Sequence, residues 1–147
     1  MALRYALRPE VPGHLGDSVV IDYSITPHEI VTLHLEIDGW MGDDLCAVAG
    51  NNYFVTERLR ALIESSRLSG FRFGPMIVSR SELFDELQGG LELPPFWWLK
   101  VHRGEGEADF TVGPGADGVP TLIVSKKALD CLRSFSLAHC LVAPLDA

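Results

Sequence analysis

Ile30-Val-Thr-Leu-His-Leu-Glu-Ile-Asp38 alternates strictly, with Val31, Leu33, Leu35 and Ile37 on one side and Thr32, His34, Glu36 and Asp38 on the other. Successive side chains of an extended backbone point to opposite faces, so this period of two predicts a strand. Its polar face predicts an antiparallel sheet with one wet side, because a strand covered on both faces reads as continuously apolar. His34, on the polar face, is expected in solvent or at an interface.

Outward from this strand, shorter extended runs occur at Leu3 to Leu7, Ser18 to Tyr23, Phe71 to Phe73, Phe96 to His102, Asp109 to Val112, Thr121 to Val124 and Cys140 to Ala143. Asp117-Gly118, inside a Gly- and Pro-rich stretch between two of them, predicts a hairpin turn. Pro94-Pro95 enforces an extended entry to Phe96-Trp97-Trp98.

Three short helices are expected. Thr56 is the N-cap of the first, with Glu57 in its first turn, Leu59, Leu62 and Ile63 on one face, and Gly70 closing the region. Ser79 and Glu82 have capping-box spacing and open the second, whose stripe is Leu83, Phe84 and Leu87 and whose stop is Gly89-Gly90. The third follows Ser125 with Leu129, Leu132 and Phe135 at helical spacing, although Lys126 and Lys127 oppose the positive end of its dipole. The fold class is therefore α+β, a largely antiparallel sheet with about three short helices.

Val55 to Phe71 and Val124 to Cys140 resemble each other. Each reads as strand end, hydroxyl N-cap, amphipathic helix, closing leucine (Leu68, Leu137) and strand. Two readings stand, a duplicated strand-helix-strand unit or two capped helices that happen to look alike.

The 147 residues, 47% of them hydrophobic, predict one domain over residues 1–147 around one core. Cys46, Cys131 and Cys140 cannot all pair and have no CxxC spacing, which predicts free thiols and a cytoplasmic location. Arg4 and Arg8 interrupt any signal-peptide core, and no run of 18 apolar residues predicts a membrane span. With 20 acidic against 12 basic residues, the net charge of -8 disfavours nucleic acid and favours a basic partner, although acidic balance is also an ordinary aid to solubility.

Catalytic signatures are absent from the sequence. There is no G-x-S-x-G elbow, and His139 and Cys140, as strand neighbours, would face apart. Cys131 falls within the third helix as a small buried thiol. His14, His28, His34, His102 and His139 lack the spacing of metal ligands on a helix. The glycine pairs Gly104/Gly106 and Gly113/Gly115 do not open a helix as a phosphate loop must. Asp43-Asp44 and Asp85-Glu86 could serve acid/base chemistry only in a water-poor cleft. No catalytic residue, metal or cofactor is expected. The rival reading is a small cytoplasmic enzyme in which Cys46 meets one of the histidines through the fold.

Along Phe96 to His102, alternation places Trp97, Leu99 and Val101 on the apolar face and Phe96, Trp98, Lys100 and His102 on the other. Trp98, flanked by Lys100 and followed by Glu105, Glu107 and Asp109, has the aromatic-plus-charge composition of a binding hot spot. Burial of Trp98 under a helix or loop is the alternative.

Phe54-Val-Thr-Glu-Arg-Leu59, Leu68-Ser-Gly-Phe71, Phe96-Trp-Trp-Leu-Lys-Val101, Ala108-Asp-Phe110, and Leu122-Ile-Val-Ser-Lys-Lys-Ala-Leu129 with Leu137 resemble bacterial polymorphic-toxin immunity proteins, especially the group around the double-CxxCG proteins. The resemblance covers about the C-terminal two thirds of the chain. No CxxCG occurs here, so no metal held by such pairs is implied. The resemblance implies a cytoplasmic, non-catalytic protein that neutralises a cognate toxin domain by occlusion. On that reading Trp98, flanked by Lys100 as a further partner-binding residue, belongs to the central cluster of the interface, and Asp43, Asp44, Glu105, Glu107 and Asp109 to its acidic rim.

Overall fold

The computed structural model describes residues 3–103, 107–115 and 117–145. The fold is α+β. In chain order its elements are β1 (Arg4–Arg8), β2 (Gly13–Leu15), β3 (Val20–Asp22), β4 (Glu29–Thr32), β5 (His34–Ile37), β6 (Leu45–Val48), β7 (Asn52–Thr56), α1 (Glu57–Ser65), β8 (Phe71–Gly74), β9 (Ile77–Arg80), α2 (Glu82–Gln88), β10 (Phe96–Val101), β11 (Phe110–Pro114), β12 (Pro120–Ser125), α3 (Lys126–Leu132) and β13 (Leu141–Leu145). Among the described residues no helix is long and apolar enough to cross a membrane.

A central sheet, β6-β7-β10-β8, is covered on both faces. Leu45, Ala47, Tyr53, Val55 and Leu99 point to one apolar cluster, shared with α1, α3 and the second four-stranded sheet, β11-β12-β1-β13. Cys46, Val48, Phe54, Phe96 and Trp98 point to another, shared with β5 and Phe84 of α2. The expected single core is thus two clusters separated by one sheet. Double coverage explains why β6, Leu-Cys-Ala-Val, shows no alternation that would announce it as a strand.

The opening stretch divides at Leu33. β4 pairs with β3 alone, in a separate two-stranded hairpin, while β5 lies between β2, antiparallel, and β9, parallel. The wet antiparallel strand expected from the alternation is corrected on two counts. Val31 is 56% exposed although it shares the parity of buried Leu33, Leu35 and Ile37. His34 is buried: its Nδ1 accepts from Ser18 N–H at 2.9 Å, which leaves Nε2–H to donate to Ser79 Oγ at 2.7 Å. Gly16 makes room for that ring, since a Cβ there would lie 2.3 Å from His34 Cε1.

Helix α1 begins after Thr56 as expected. The second helix starts later than its sequence signature suggests. Ser79 is a strand residue, and Ser81 Oγ caps α2 by accepting from Phe84 N–H. Of the expected stripe, Phe84 is buried while Leu83 and Leu87 are exposed. Ser125 caps α3, accepting from Ala128 N–H, and Phe135 falls beyond the helix end. The turn at Asp117-Gly118 joins β11 to β12 in the expected hairpin.

The two similar segments hold equivalent places. α1 connects β7 to β8 with β10 between them, antiparallel to both, and α3 connects β12 to β13 with β1 between them, antiparallel to both. Each unit is preceded by a hairpin partner, β6 or β11. The duplicated strand-helix-strand reading therefore has a structural counterpart, one unit per four-stranded sheet.

Candidate functional site

Three acidic residues expected at a binding rim are built into the junction of the two sheets. Asp44 directly precedes β6, and Asp109 directly precedes β11. Asp44 accepts from Thr56 Oγ1, from Arg58 Nε and Nη2 at 2.7 and 2.8 Å, and from Ser136 N–H at 2.9 Å. Asp109 accepts from Ser125 Oγ at 2.6 Å and from Ser69 N–H at 2.9 Å. Each carboxylate thus holds the hydroxyl that begins its own helix and the loop that follows the other helix. Lys127, two residues beyond Ser125 as Arg58 is two beyond Thr56, supplies the matching positive charge to Asp109. Lys126 pairs with Asp130 one turn on. These partners account for two lysines placed against the α3 dipole.

Burial pushes the Asp44 carboxyl up, but the bonds from Arg58, Thr56 and Ser136 outweigh it and hold the group below the usual carboxylate value. The same balance, with Ser125 and Ser69 as donors, lowers Asp109. Gly70, beside this junction, has φ of +93° and no room for a side chain, because a Cβ would lie 2.1 Å from the Phe110 carbonyl oxygen.

Asp43 is wholly buried, at 0% exposure, and Asp44 is 1% exposed. Asp43 Oδ1 accepts from Ser136 Oγ, Ala138 N–H and His139 Nδ1, and Oδ2 accepts from His139 N–H, all at 2.8 to 3.2 Å. Glu10 lies alongside, its carboxylate accepting from Met41 N–H at 2.6 Å, and burial raises its pKa. Glu10, Asp43 and His139 bring one donor atom each within 4.8 Å of one another. Sequence spacing could not show this, since the three residues come from widely separated parts of the chain. Both Asp43 oxygens are already occupied by donors, so the arrangement reads as a buried fastening for residues 136–139. His139 and Cys140 stand in the turn before β13, so the expected strand alternation between them does not apply.

Trp98 is 8% exposed and packs in the cluster beneath β5 and α2, a correction to its expected role as an open anchor. Lys100 covers it, with Nζ 4.5 Å from the ring centroid. Both faces of β10 are covered, Leu99 by one cluster and Phe96 and Trp98 by the other, so its alternation marks no wet side. Of the proposed rim, Asp43 and Asp44 are interior, Asp109 is engaged by Ser69 and Ser125, Glu107 is exposed, and Glu105 lies outside the described residues.

The cysteine named in the cysteine-histidine reading, Cys46, lies in the interior. Cys46 is fully buried, donates its thiol to the Asp43 carbonyl at 3.6 Å, and is pushed up by burial and by the nearby carboxylates of Glu10 and Asp43, which withholds the thiolate. A cleft of about 680 Å³ beside Asp44 is lined by Trp40, Arg58, Leu93, Pro94 and Pro95 among others, and a second of about 280 Å³ lies against β1 and β13. Neither is lined by a cysteine or a histidine.

Charge is unevenly distributed along the chain, a signal present in the sequence and missed by counting the whole. From Pro9 to Glu57 there are nine acidic residues and no lysine or arginine, while the remainder holds eleven acidic and twelve basic residues. The net negative charge therefore belongs to β2 through β7. On this part of the surface His14 sits between Asp38 and Glu36, with its Nδ1 at 2.9 Å and Nε2 at 2.8 Å from their carboxylates. The hydrogen bond to Asp38 chiefly raises its pKa.

Comparison of the chain with protein-family models, curated proteins and solved structures finds no match.

Proposed function

We propose that this protein is a non-catalytic immunity protein that binds a cognate bacterial toxin domain and blocks it by covering its surface. The observation that carries the reading is the uneven charge along the chain, with the whole excess of acid in the segment from Pro9 to Glu57, of which Asp17, Asp22, Glu29, Glu36 and Asp38 reach the surface while Glu10, Asp43 and Asp44 are buried. Such a surface accelerates encounter with a basic protein and repels nucleic acid. The buried, already satisfied carboxylates of Asp43 and Asp44 and the buried Cys46 thiol add support, because these particular groups are engaged in structure. The sequence resemblance to toxin-immunity proteins supplies the class of partner, and a cytoplasmic site of action follows from that class.

The reading is tested by co-expressing the full chain in a heterologous host with a candidate toxin domain taken from a gene adjacent to its own. Growth restored by this chain, and by its Cys46→Ala variant, is the expected result. Growth restored by the chain but lost with Cys46→Ala in a folded protein would favour the enzymatic reading, and no restoration would remove the immunity reading.

A further inference from the structure

The hairpin formed by β3 and β4 stands apart from the three larger sheets. Among the described residues the two strands pair with each other and with no other strand, and Ile30 of β4 packs against the cluster that β5 shares with α2. A two-stranded ribbon gains little stability from itself in water, and its apolar side chains would ordinarily be withdrawn into a core. Here Val20, Ile25 and Val31 are exposed, and Tyr23 is 67% exposed. Tyr23 meets His28 edge-on across the turn, with ring centroids 4.8 Å apart. Asp22 is held by Ser24 through both its backbone N–H and its hydroxyl, which fixes a carboxylate beside Tyr23.

Asp22 and Glu29 face each other across the two strands of the hairpin, Asp17 lies three residues before it in sequence, and the segment from Pro9 to Glu57 has no lysine or arginine. An exposed apolar arm with a tyrosine and charge of one sign has the composition of a protein-binding hot spot whose partner carries the opposite sign. We infer that the β3–β4 hairpin is the docking arm of the molecule, and that its occupant is a basic surface of the toxin domain, into which Tyr23 and its apolar neighbours insert. This inference rests on the immunity reading. It replaces Trp98 as the anchor and relocates the acidic rim to Asp17, Asp22 and Glu29. Positive charge on the partner is needed because the arm offers acceptors and apolar area but no cation.

The test uses the purified full chain and the candidate toxin domain that passes the co-expression test, with affinity and rates measured by biolayer interferometry at low and high salt. Three variants are compared with wild type: Tyr23→Ala with Ile25→Ala, Asp22→Lys with Glu29→Lys, and Asp130→Lys on exposed α3 as control. Thermal melting verifies that each is folded. The apolar pair is expected to weaken binding about 100-fold, mainly through dissociation. The charge-reversed pair is expected to slow association about tenfold at low salt, and by less at high salt. The control binds like wild type. Wild-type affinity in both hairpin variants would overturn the docking arm and leave the immunity reading standing. Absence of any complex with wild type would overturn both.

Discussion

Asp44 and Asp109 occupy corresponding positions in the two halves of the fold, each one residue before the first strand of a hairpin and each bound by the hydroxyl at the start of the following helix. Each also receives a backbone N–H from the opposite half, Ser136 to Asp44 and Ser69 to Asp109. The reciprocity ties α1 and α3 to both four-stranded sheets with carboxylates rather than with apolar contact alone.

Loss of either carboxylate leaves buried donors without acceptors. Asp44→Ala should destabilise the protein by about 2–4 kcal/mol, because it strands the Thr56 hydroxyl and Ser136 N–H and releases Arg58. Asp109→Ala should cost less, about 1–2 kcal/mol, since its surroundings are half-exposed and water can replace part of the carboxylate. Urea unfolding monitored by tryptophan fluorescence gives both values. A larger loss for Asp109→Ala would contradict the assignment.

Stability should fall at acid pH with a defined sign. Asp44 and Asp109 have folded values below the ordinary 3.8, so the stability they contribute is complete above that value and is lost as pH falls through their folded values. Glu10 acts in the opposite direction. Its raised value means that the folded chain takes up this proton first, and stability rises slightly as pH falls toward 4.5. The urea midpoint should therefore peak on the acid side of neutrality and drop steeply below about pH 4. In the Asp44→Asn, Asp109→Asn double variant the steep drop should be shallower.

His14 should titrate above 6.5 by NMR, because Asp38 and Glu36 both face its ring. Its contribution is present below pH 6.5 and disappears as pH rises through the folded value. The exposed setting keeps the effect small and salt-sensitive. Asp38→Asn should return the midpoint toward 6.5, whereas an unchanged midpoint would exclude Asp38 as the main cause.

The three thiols should react in sequence. Cys46 should resist alkylation at pH 8 until the chain unfolds, whereas Cys131 and Cys140 are partly accessible. Cys140 should react slowly even so, since burial pushes its thiol up to about 11. Rapid labelling of Cys46 in the folded protein, followed by mass spectrometry, would contradict its buried placement.

Much of the fold was legible in local pattern. Thr56 and Ser125 mark the starts of α1 and α3, Asp117-Gly118 marks a hairpin, and the similarity of two segments anticipates their equivalent topology. Two of the failures share one cause. β6, β7 and β10 are covered on both sides, so alternation misassigned Trp98 to solvent and left Leu45–Val48 unread. The burial of Asp43 and Asp44 depends on residues more than ninety positions away, which no local pattern contains. The hairpin's apolar exposure was hidden for the opposite reason. Val31 continues the alternation of a buried strand, but the chain leaves that sheet at Leu33.

Titration calorimetry of the purified full chain into a candidate toxin domain from an adjacent gene, with toxin activity assayed on the same mixtures, bears most directly on the proposed occlusion. A saturable one-to-one complex whose affinity weakens with salt, and toxin activity that vanishes at equivalence, is the expected result. Toxin that stays active in the presence of excess folded protein, or that is inactivated by substoichiometric amounts with turnover, would contradict it.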